Sequence, residues 1–433
     1  MTTTAEDTTY VTGLECIQCG ARFPEGPMLN GCPACRRPGW ASNVTVTYDL
    51  DAVRRGPGLE FLEDLRATVW KAAPLLPVRD PRHRLSLGEG GTPLVPFRPA
   101  RELLDLPSLY LKDESRNATW SHKDRMCAVA VSKGLEFGAR VVAVSSTGNH
   151  GASAAAYSAL AGLPCVVFTV AYTASTMMTF MQAYGAKVVA LQSSADRMKL
   201  LARCVEEWGW YPTASYSDPP LGNNPFGTDG YKTIAYEVWA QLGRLAPDVI
   251  IAPVSYASTL FGVFKGFAEL HSLGLIPKVP RHIAVERFGH LEKAEAEGLD
   301  HLEPVPVGPT VAVSIAGTTS SMYGLKAIRG SHGTALSVEE EPIIQMQEAL
   351  AHRGHFYEAS SVAGFVGVRE AAVRGLIRPG ESVVLIVTSS GLKDPSVIQR
   401  NLPMVPTVQP DLESLARVLA EVYRCDVRAM ASS

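Results

Sequence analysis

From Lys123 onward the chain alternates short apolar, β-branched runs with stretches of helical periodicity, and this alternation restricts the fold more than any other feature. The spacing predicts a helix over 123–137, a strand over 140–145, a helix over 149–161, a strand over 165–170, a helix over 175–184, a strand over 187–191 and a helix over 195–208. Buried apolar strands joined by helices of about ten to fifteen residues are βαβ units, which build a parallel sheet with helices on both faces. The stretch 216–231, rich in Pro, Asn and Gly, reads as a loop. Beyond it come a helix over 231–242, strands over 248–252, 282–286 and 382–388, and a helix over 260–270. The expected fold class is α/β, with two doubly wound domains flanking one cleft.

A chain of 433 residues is long enough for roughly two or three domains. The expected boundaries are a small cysteine-bearing segment over 1–45, a smaller α/β domain over 121–234, and a larger one assembled from 46–120 and 235–433. Between them, Gly56-Pro57-Gly58 marks a turn, 60–71 has helical spacing, and Leu109–Lys112 reads as a short strand after the glycine-rich stretch Leu87–Leu94. A net charge of -3 without runs of Lys or Arg gives no electrostatic reason to expect a nucleic-acid or anionic-membrane partner, so a small molecule is expected. Residues 1–10 lack the apolar core of a signal peptide. The longest apolar stretch, 249–267, is interrupted by Pro253, Ser255, Ser258 and Lys265, which argues against a membrane span. A cytoplasmic location is expected.

Four of the eight cysteines fall at Cys16, Cys19, Cys32 and Cys35 as two C-x2-C pairs. Two such knuckles can bring four thiolates into a tetrahedron around one structural Zn2+, with Gly20, Gly31 and Pro33 supplying the tight turns. A lost site or a disulfide pair is the alternative, and a cytoplasmic location disfavours the disulfide. Cys127, Cys165, Cys204 and Cys425 lie in apolar contexts and read as packing residues.

In open α/β sheets ligands bind beyond the carboxyl ends of the strands, so the strand-to-helix turns are the places to look for chemistry. Ser146-Thr147-Gly148-Asn149-His150 sets hydroxyls and free amides at a helix start, as a carboxylate or phosphate requires; an ordinary N-cap would account for one or two of these residues. Ser255-Tyr256-Ala257-Ser258-Thr259 opens another helix with hydroxyls that suit a phosphate. Thr388 leads a third turn, which continues to Pro395. Lys123 follows Trp120 and His122 at a helix start, where partial desolvation would lower its pKa and ready it for Schiff-base chemistry; a solvated surface lysine is the bland alternative. For His122 and His150, a hydrogen-bonded wall residue and an acid–base role stand level.

Together these stretches resemble the fold-type II enzymes dependent on pyridoxal phosphate (PLP), and within them the threonine synthase-like family. The likeness runs from about Leu87 to Asp394 and includes Lys112-Asp113-Glu114-Ser115-Arg116-Asn117, then Thr119, Ser121, Lys123, Asp124 and Arg125, and Gly391-Leu392-Lys393-Asp394-Pro395. Asp229–Thr233 and Glu358–Ser361 echo further family stretches. The resemblance implies Lys123 as the Schiff-base and catalytic lysine, which would then remove the substrate's α-proton. It implies Asn149 and Thr388 at the cofactor ring, 255–259 at its phosphate, and Thr119, Trp120, Ser146, Thr147, Gly148, His150 and Gly227 around the amino-acid substrate. It further implies a homodimer, for which a helix over 412–423 offers only an apolar stripe.

A hydroxyl at Thr388 suits loss of a leaving group from the β or γ carbon, so the resemblance implies a lyase or synthase acting by elimination or replacement. Two departures bear on the substrate. Gly227 stands where the family carries an arginine for the substrate's phosphate, and Trp120 stands where it carries glycine, filling the pocket beside the lysine. A substrate other than O-phosphohomoserine is therefore expected. Threonine synthase proper and a non-catalytic cofactor-binding or interaction protein are the other readings.

Overall fold

The computed structural model describes residues 9–56, 59–62, 68–104 and 106–425, and contains three sheets. Strands β1 (Val11–Cys16), β2 (Arg22–Phe23) and β3 (Val44–Tyr48) form an antiparallel sheet in the order β2-β1-β3, with the first cysteine pair at the carboxyl end of the central strand. Strands β4 (Leu94–Pro96), β5 (Tyr110–Asp113), β10 (Val249–Pro253), β11 (Arg281–Glu286), β12 (Thr334–Ser337) and β13 (Val383–Val387) make a six-stranded sheet in the order β12-β11-β10-β13-β5-β4. It is parallel except at the β4–β5 edge. A four-stranded parallel sheet, β8-β7-β6-β9, is built from β6 (Val142–Ser145), β7 (Cys165–Val170), β8 (Lys187–Leu191) and β9 (Tyr211–Pro212). This is the α/β, doubly wound fold of two layers that the alternation predicts.

Burial explains which strands are central. Every residue of Val249–Pro253 and Val383–Val387 is buried, as strands covered by helices on both faces must be. The edge strand Lys187–Leu191 alternates with solvent and has no buried residue. Helices Lys123–Glu136, Asn149–Leu160 and Ser194–Trp208 begin where the apolar period begins. The last is capped at Ser193, whose side chain accepts from the Asp196 amide, and stops at the left-handed Gly209.

Three features differ from the sequence expectation. The segment 231–242 opens as a 3-10 turn, Asp229–Lys232, before the α-helix Thr233–Gln241. The segment 60–71 contains short 3-10 turns, Glu60–Leu62 and Val69–Leu75, with 63–67 outside the described residues. Helix Ala359–Val373 escapes the periodicity because it is buried on nearly every side and has no polar stripe to reveal its pitch. Gly364 and Gly367 allow it to lie on the central strands: a β-carbon at Gly367 would come within 2.3 Å of Val285, and one at Gly364 within 2.8 Å of Leu385.

A fully buried ionic cluster joins β5 to helices Lys123–Glu136 and Thr233–Gln241. Arg125 donates to Glu114 at 2.7 and 2.8 Å and to Glu237 at 2.5 and 2.7 Å, while Lys112 donates to Glu237 at 2.5 Å. The bidentate geometry lets two carboxylates neutralise a guanidinium that could not otherwise be taken out of water. Several residues of the lysine-bearing stretch are thereby accounted for structurally.

A second unit begins at Pro395, and its helix Leu412–Glu421 is capped by Asp411, which accepts from the Ser414 amide. No described helix is long and apolar enough to cross a membrane.

Candidate active site

The turns that follow the central strands β6, β10 and β13 converge on one cleft, with a volume of about 560 Å3. These are interior strands whose neighbours lie on both sides, so their carboxyl ends bound the crevice where an α/β sheet takes a ligand. Lys123, 146–150, 253–259 and Thr388 all line it.

Lys123 is the first residue of its helix, and its side chain is largely removed from water. Its Nζ donates 3.2 Å to the Tyr231 hydroxyl and lies 5.5 Å from the centre of that ring. Burial lowers the amine from 10.5 to about 8, opposed by weaker attraction from Cys127 and Glu358. Within the hydrogen-bonding range of a polar cleft this amine is therefore a nucleophile and proton acceptor at mildly alkaline pH.

Asn149 is held on both sides of its amide. Its Nδ2 donates 2.6 Å to Glu358, and its Oδ1 accepts from the Ser389 hydroxyl at 3.2 Å. The Thr388 hydroxyl lies 2.7 Å from the Ser361 hydroxyl, and the Thr388 carbonyl accepts from the His122 backbone at 2.9 Å. Ser146 Oγ accepts from the amides of Gly148 (3.2 Å) and Gly151 (3.0 Å), which binds this hydroxyl into the turn. His150 Nε2 is 3.0 Å from Thr213 Oγ1, and Asn223 Nδ2 approaches its Nδ1 at 3.3 Å, an arrangement that places the imidazole proton on Nε2. Burial and the Lys123 charge push His150 down to about 3, and the same two causes push His122 well below its ordinary range. Both rings are neutral walls of the cleft at physiological pH.

At the turn after β10, Ala257 takes a left-handed backbone (φ 54°) to start helix Ser258–Ser272, and no side chain caps that helix start. Its first amides are left for other acceptors. The turn is braced from behind, where Ser320 donates to the Ser255 carbonyl (2.8 Å) and Ser321 to the Tyr256 carbonyl (2.6 Å).

Three expected substrate residues lie off the cleft wall. Thr119 is fully buried, with its amide and hydroxyl both committed to Asp124 at 2.6 and 2.5 Å. Trp120 does not fill the pocket: its backbone is left-handed (φ 60°), and its ring turns outward to Phe180, with a centroid separation of 5.5 Å and 40% exposure. Gly227 sits inside the short helix Pro225–Thr228, where a β-carbon would meet Ala130 at 2.9 Å and Met126 at 3.0 Å. That position faces packed helix, so its lack of an arginine leaves the charge of the cleft undecided. Residues not named individually as site residues are Tyr231 and Glu358, although their stretches stood out, and Arg197, an ordinary charge on an amphipathic helix.

The four ribbon cysteines converge as their spacing predicts. One ligand atom from each lies within 4.8 Å of the others, and the Sγ separations are 3.7 Å for Cys16–Cys35 and 3.9 Å for Cys19–Cys32. A tetrahedral Zn–S distance of about 2.3 Å requires sulfurs about 3.8 Å apart. The donor set therefore fits a closed, four-thiolate metal site.

A doubly wound α/β chain with a desolvated lysine in the cleft beyond its strand ends defines a class of cleft enzymes that can link a carbonyl cofactor. Residues 85–389 match the family model described as pyridoxal-phosphate dependent enzyme. The chain is 34% identical over 393 residues to the threonine synthase of Methanosarcina acetivorans, covering 89% of this chain and 93% of that one. It is 31% identical over 417 residues to the threonine synthase of Methanocaldococcus jannaschii, covering 94% and 99% respectively. It also superposes on maize serine racemase with a TM-score of 0.61 at 18% identity, over 72% of this chain and 91% of that one, a likeness of fold. The chain belongs to the pyridoxal-phosphate-dependent enzyme family, in its fold-type II, threonine synthase-like branch.

Proposed function

We propose that the protein is a PLP-dependent lyase or synthase that removes or replaces a group on the β or γ carbon of an amino acid, with Lys123 as its cofactor-linking and proton-carrying residue. The observation that carries the reading is the Lys123 amine itself, desolvated to a pKa of about 8 in the cleft that Asn149 and Thr388 also line. The residues present fit the cofactor: the uncapped start of Ser258–Ser272 suits a phosphate, the Asn149 amide suits a phenolic oxygen, and the Thr388 hydroxyl stands at the end of β13. Bound PLP would supply an aldehyde for the amine and a ring that accepts electrons.

The chain's own groups divide the remaining work. The turn 146–150 presents backbone amides for the substrate carboxylate. Lys123 Nζ, steadied by Tyr231, accepts the α-proton and can hold it for return. Glu358 fixes the Asn149 amide, and the neutral rings of His122 and His150 keep water from the lysine without adding charge. Thr388 offers a hydroxyl where a carboxylate would hold a pyridine nitrogen as a cation, which favours expulsion of a leaving group over deeper charge delocalisation. The four cysteines would hold one structural Zn2+.

The reading is tested by the visible absorption of lysine-bound cofactor in the purified protein and its loss in Lys123→Ala. Phosphate release with threonine formation from O-phosphohomoserine would assign threonine synthase activity in particular, and turnover of a different β- or γ-substituted amino acid would assign the broader activity.

A further inference from the structure

Against the Thr388 hydroxyl lies a second one that decides which way the first faces. Ser361, in the first turn of helix Ala359–Val373, is fully buried and sets its Oγ 2.7 Å from Thr388 Oγ1. Among the described residues Thr388 Oγ1 has no other protein partner. The Thr388 backbone is pinned, because its carbonyl accepts from the His122 amide at 2.9 Å and lies 3.0 Å from His122 Nδ1. The Ser361 oxygen accepts from the Ser389 amide at 2.8 Å. Its single proton then has two acceptors to choose between, Thr388 Oγ1 at 2.7 Å and the Ser389 carbonyl at 3.2 Å.

The two choices give the cleft opposite faces, since each hydroxyl carries one proton. If Ser361 donates to Thr388, the Thr388 proton finds no acceptor in the protein and turns into the cleft, which Thr388 lines. If Ser361 donates to the Ser389 carbonyl, Thr388 donates to Ser361 and shows the cleft only lone pairs. The 2.7 Å bond forms in either case, so the second choice gains only the 3.2 Å contact. That length lies beyond the normal range for a hydroxyl donor, and the Ser389 carbonyl is already engaged by the Glu358 amide. An acceptor standing in the cleft at ordinary distance from Thr388 outweighs it.

We infer that Ser361 is a positioning residue that points the Thr388 proton into the cleft, so that the end of β13 offers a donor and takes an aromatic nitrogen only in its unprotonated form; this rests on the cleft being the cofactor site. The direction of one buried proton thereby separates leaving-group chemistry from reactions that need a cationic ring.

The test loads the protein with PLP carrying 15N in its ring and reads the label by NMR, while neutron diffraction from deuterated crystals of the same holoprotein locates the hydroxyl deuterons. The wild type is expected to show the Ser361 deuteron on the side of Thr388, the Thr388 deuteron in the cleft and an unprotonated, hydrogen-bonded label. Ser361→Ala is expected to move the label's shift and to weaken PLP binding about tenfold, the scale of one neutral hydrogen bond. On a Thr388→Val background the same change is expected to cost no further affinity, because Ser361 then has no hydroxyl to direct. A Ser361 deuteron on the Ser389 carbonyl, or a protonated label in the wild type, overturns the inference. An equal loss of PLP affinity from Ser361→Ala in both backgrounds also overturns it, by making Ser361 a packing residue. Should Ser361→Ala fail to fold, which thermal melting reports, the wild-type deuterons decide alone. Absence of lysine-bound cofactor absorption in the wild type defeats the proposed function instead, and the Ser361 deuteron in that protein still decides the inference.

Discussion

The Asn43 side-chain amide donates a 2.7 Å hydrogen bond to the Leu221 carbonyl and so ties the cysteine-bearing sheet to a loop whose Pro220, Gly222 and Asn223 wall the cleft. The path continues without a gap. The Asn223 amide donates to Ser258 Oγ at 3.2 Å, its side chain reaches His150 at 3.3 Å, and its Oδ1 accepts from Tyr231, which in turn holds Lys123. Asn43→Ala would leave a buried carbonyl without its donor, at a cost of about 1–3 kcal/mol. The expected outcome is a lower melting temperature together with weaker retention of cofactor, measured by thermal unfolding and by PLP titration of the apoprotein. A melting loss with cofactor affinity unchanged would show that the ribbon does not support the cleft.

Metal content follows from the sulfur geometry. Elemental analysis is expected to give one zinc per chain, and Cys32→Ser, which removes a buried ligand, to lose it. Because Gly31 packs against Leu221 and Ser42, with a hypothetical β-carbon at 2.5 and 2.6 Å, metal loss should increase hydrogen exchange in 216–224 as well as in the ribbon.

Lys123 sets a pH dependence whose sign follows from its lowered pKa. Nucleophilic attack needs the unprotonated amine, so the rate at which added PLP links to the apoprotein should rise about tenfold per pH unit below about 8 and level off above it. The same group makes the fold less favourable while it is charged: its stability contribution is poorest below about 8 and recovers as pH rises towards 10.5. Stopped-flow absorbance from pH 6 to 10 checks the first expectation. A rate still climbing at pH 10 would mean that the amine is not desolvated.

The buried cluster makes a second stability prediction, in which a charged group stabilises the fold rather than opposing it. Burial alone would push the Glu237 carboxyl up, but Arg125 and Lys112 outweigh it and hold the group at about 2, below its ordinary 4.5. Its contribution is present in full above pH 4.5 and is lost as pH falls through about 2. Glu237→Ala, which leaves Arg125 half-paired and Lys112 without its carboxylate, should destabilise by about 3–5 kcal/mol. Denaturant unfolding at pH 7 measures this, and a cost near zero would show that water enters the cluster.

By itself the sequence determined the βαβ alternation, the turns carrying Lys123, Asn149, Ser258 and Thr388, and the cysteine tetrad. Each of these is a local signal: an apolar period, a cap-like cluster at a helix start, or a fixed ligand spacing. Only the tertiary structure decided which turns follow interior strands, and it moved three residues off the cleft wall. Thr119 was drawn to Asp124, Trp120 was turned out by a left-handed backbone, and Gly227 was pressed against Met126. It also brought Glu358 to Asn149 and left Arg197 Nε and Nη1 buried on the cleft wall without a hydrogen-bond partner among the described residues. The physical reason is that side-chain direction, desolvation and charge pairing depend on neighbours far away in the chain, which hydrophobic periodicity and motif spacing do not encode.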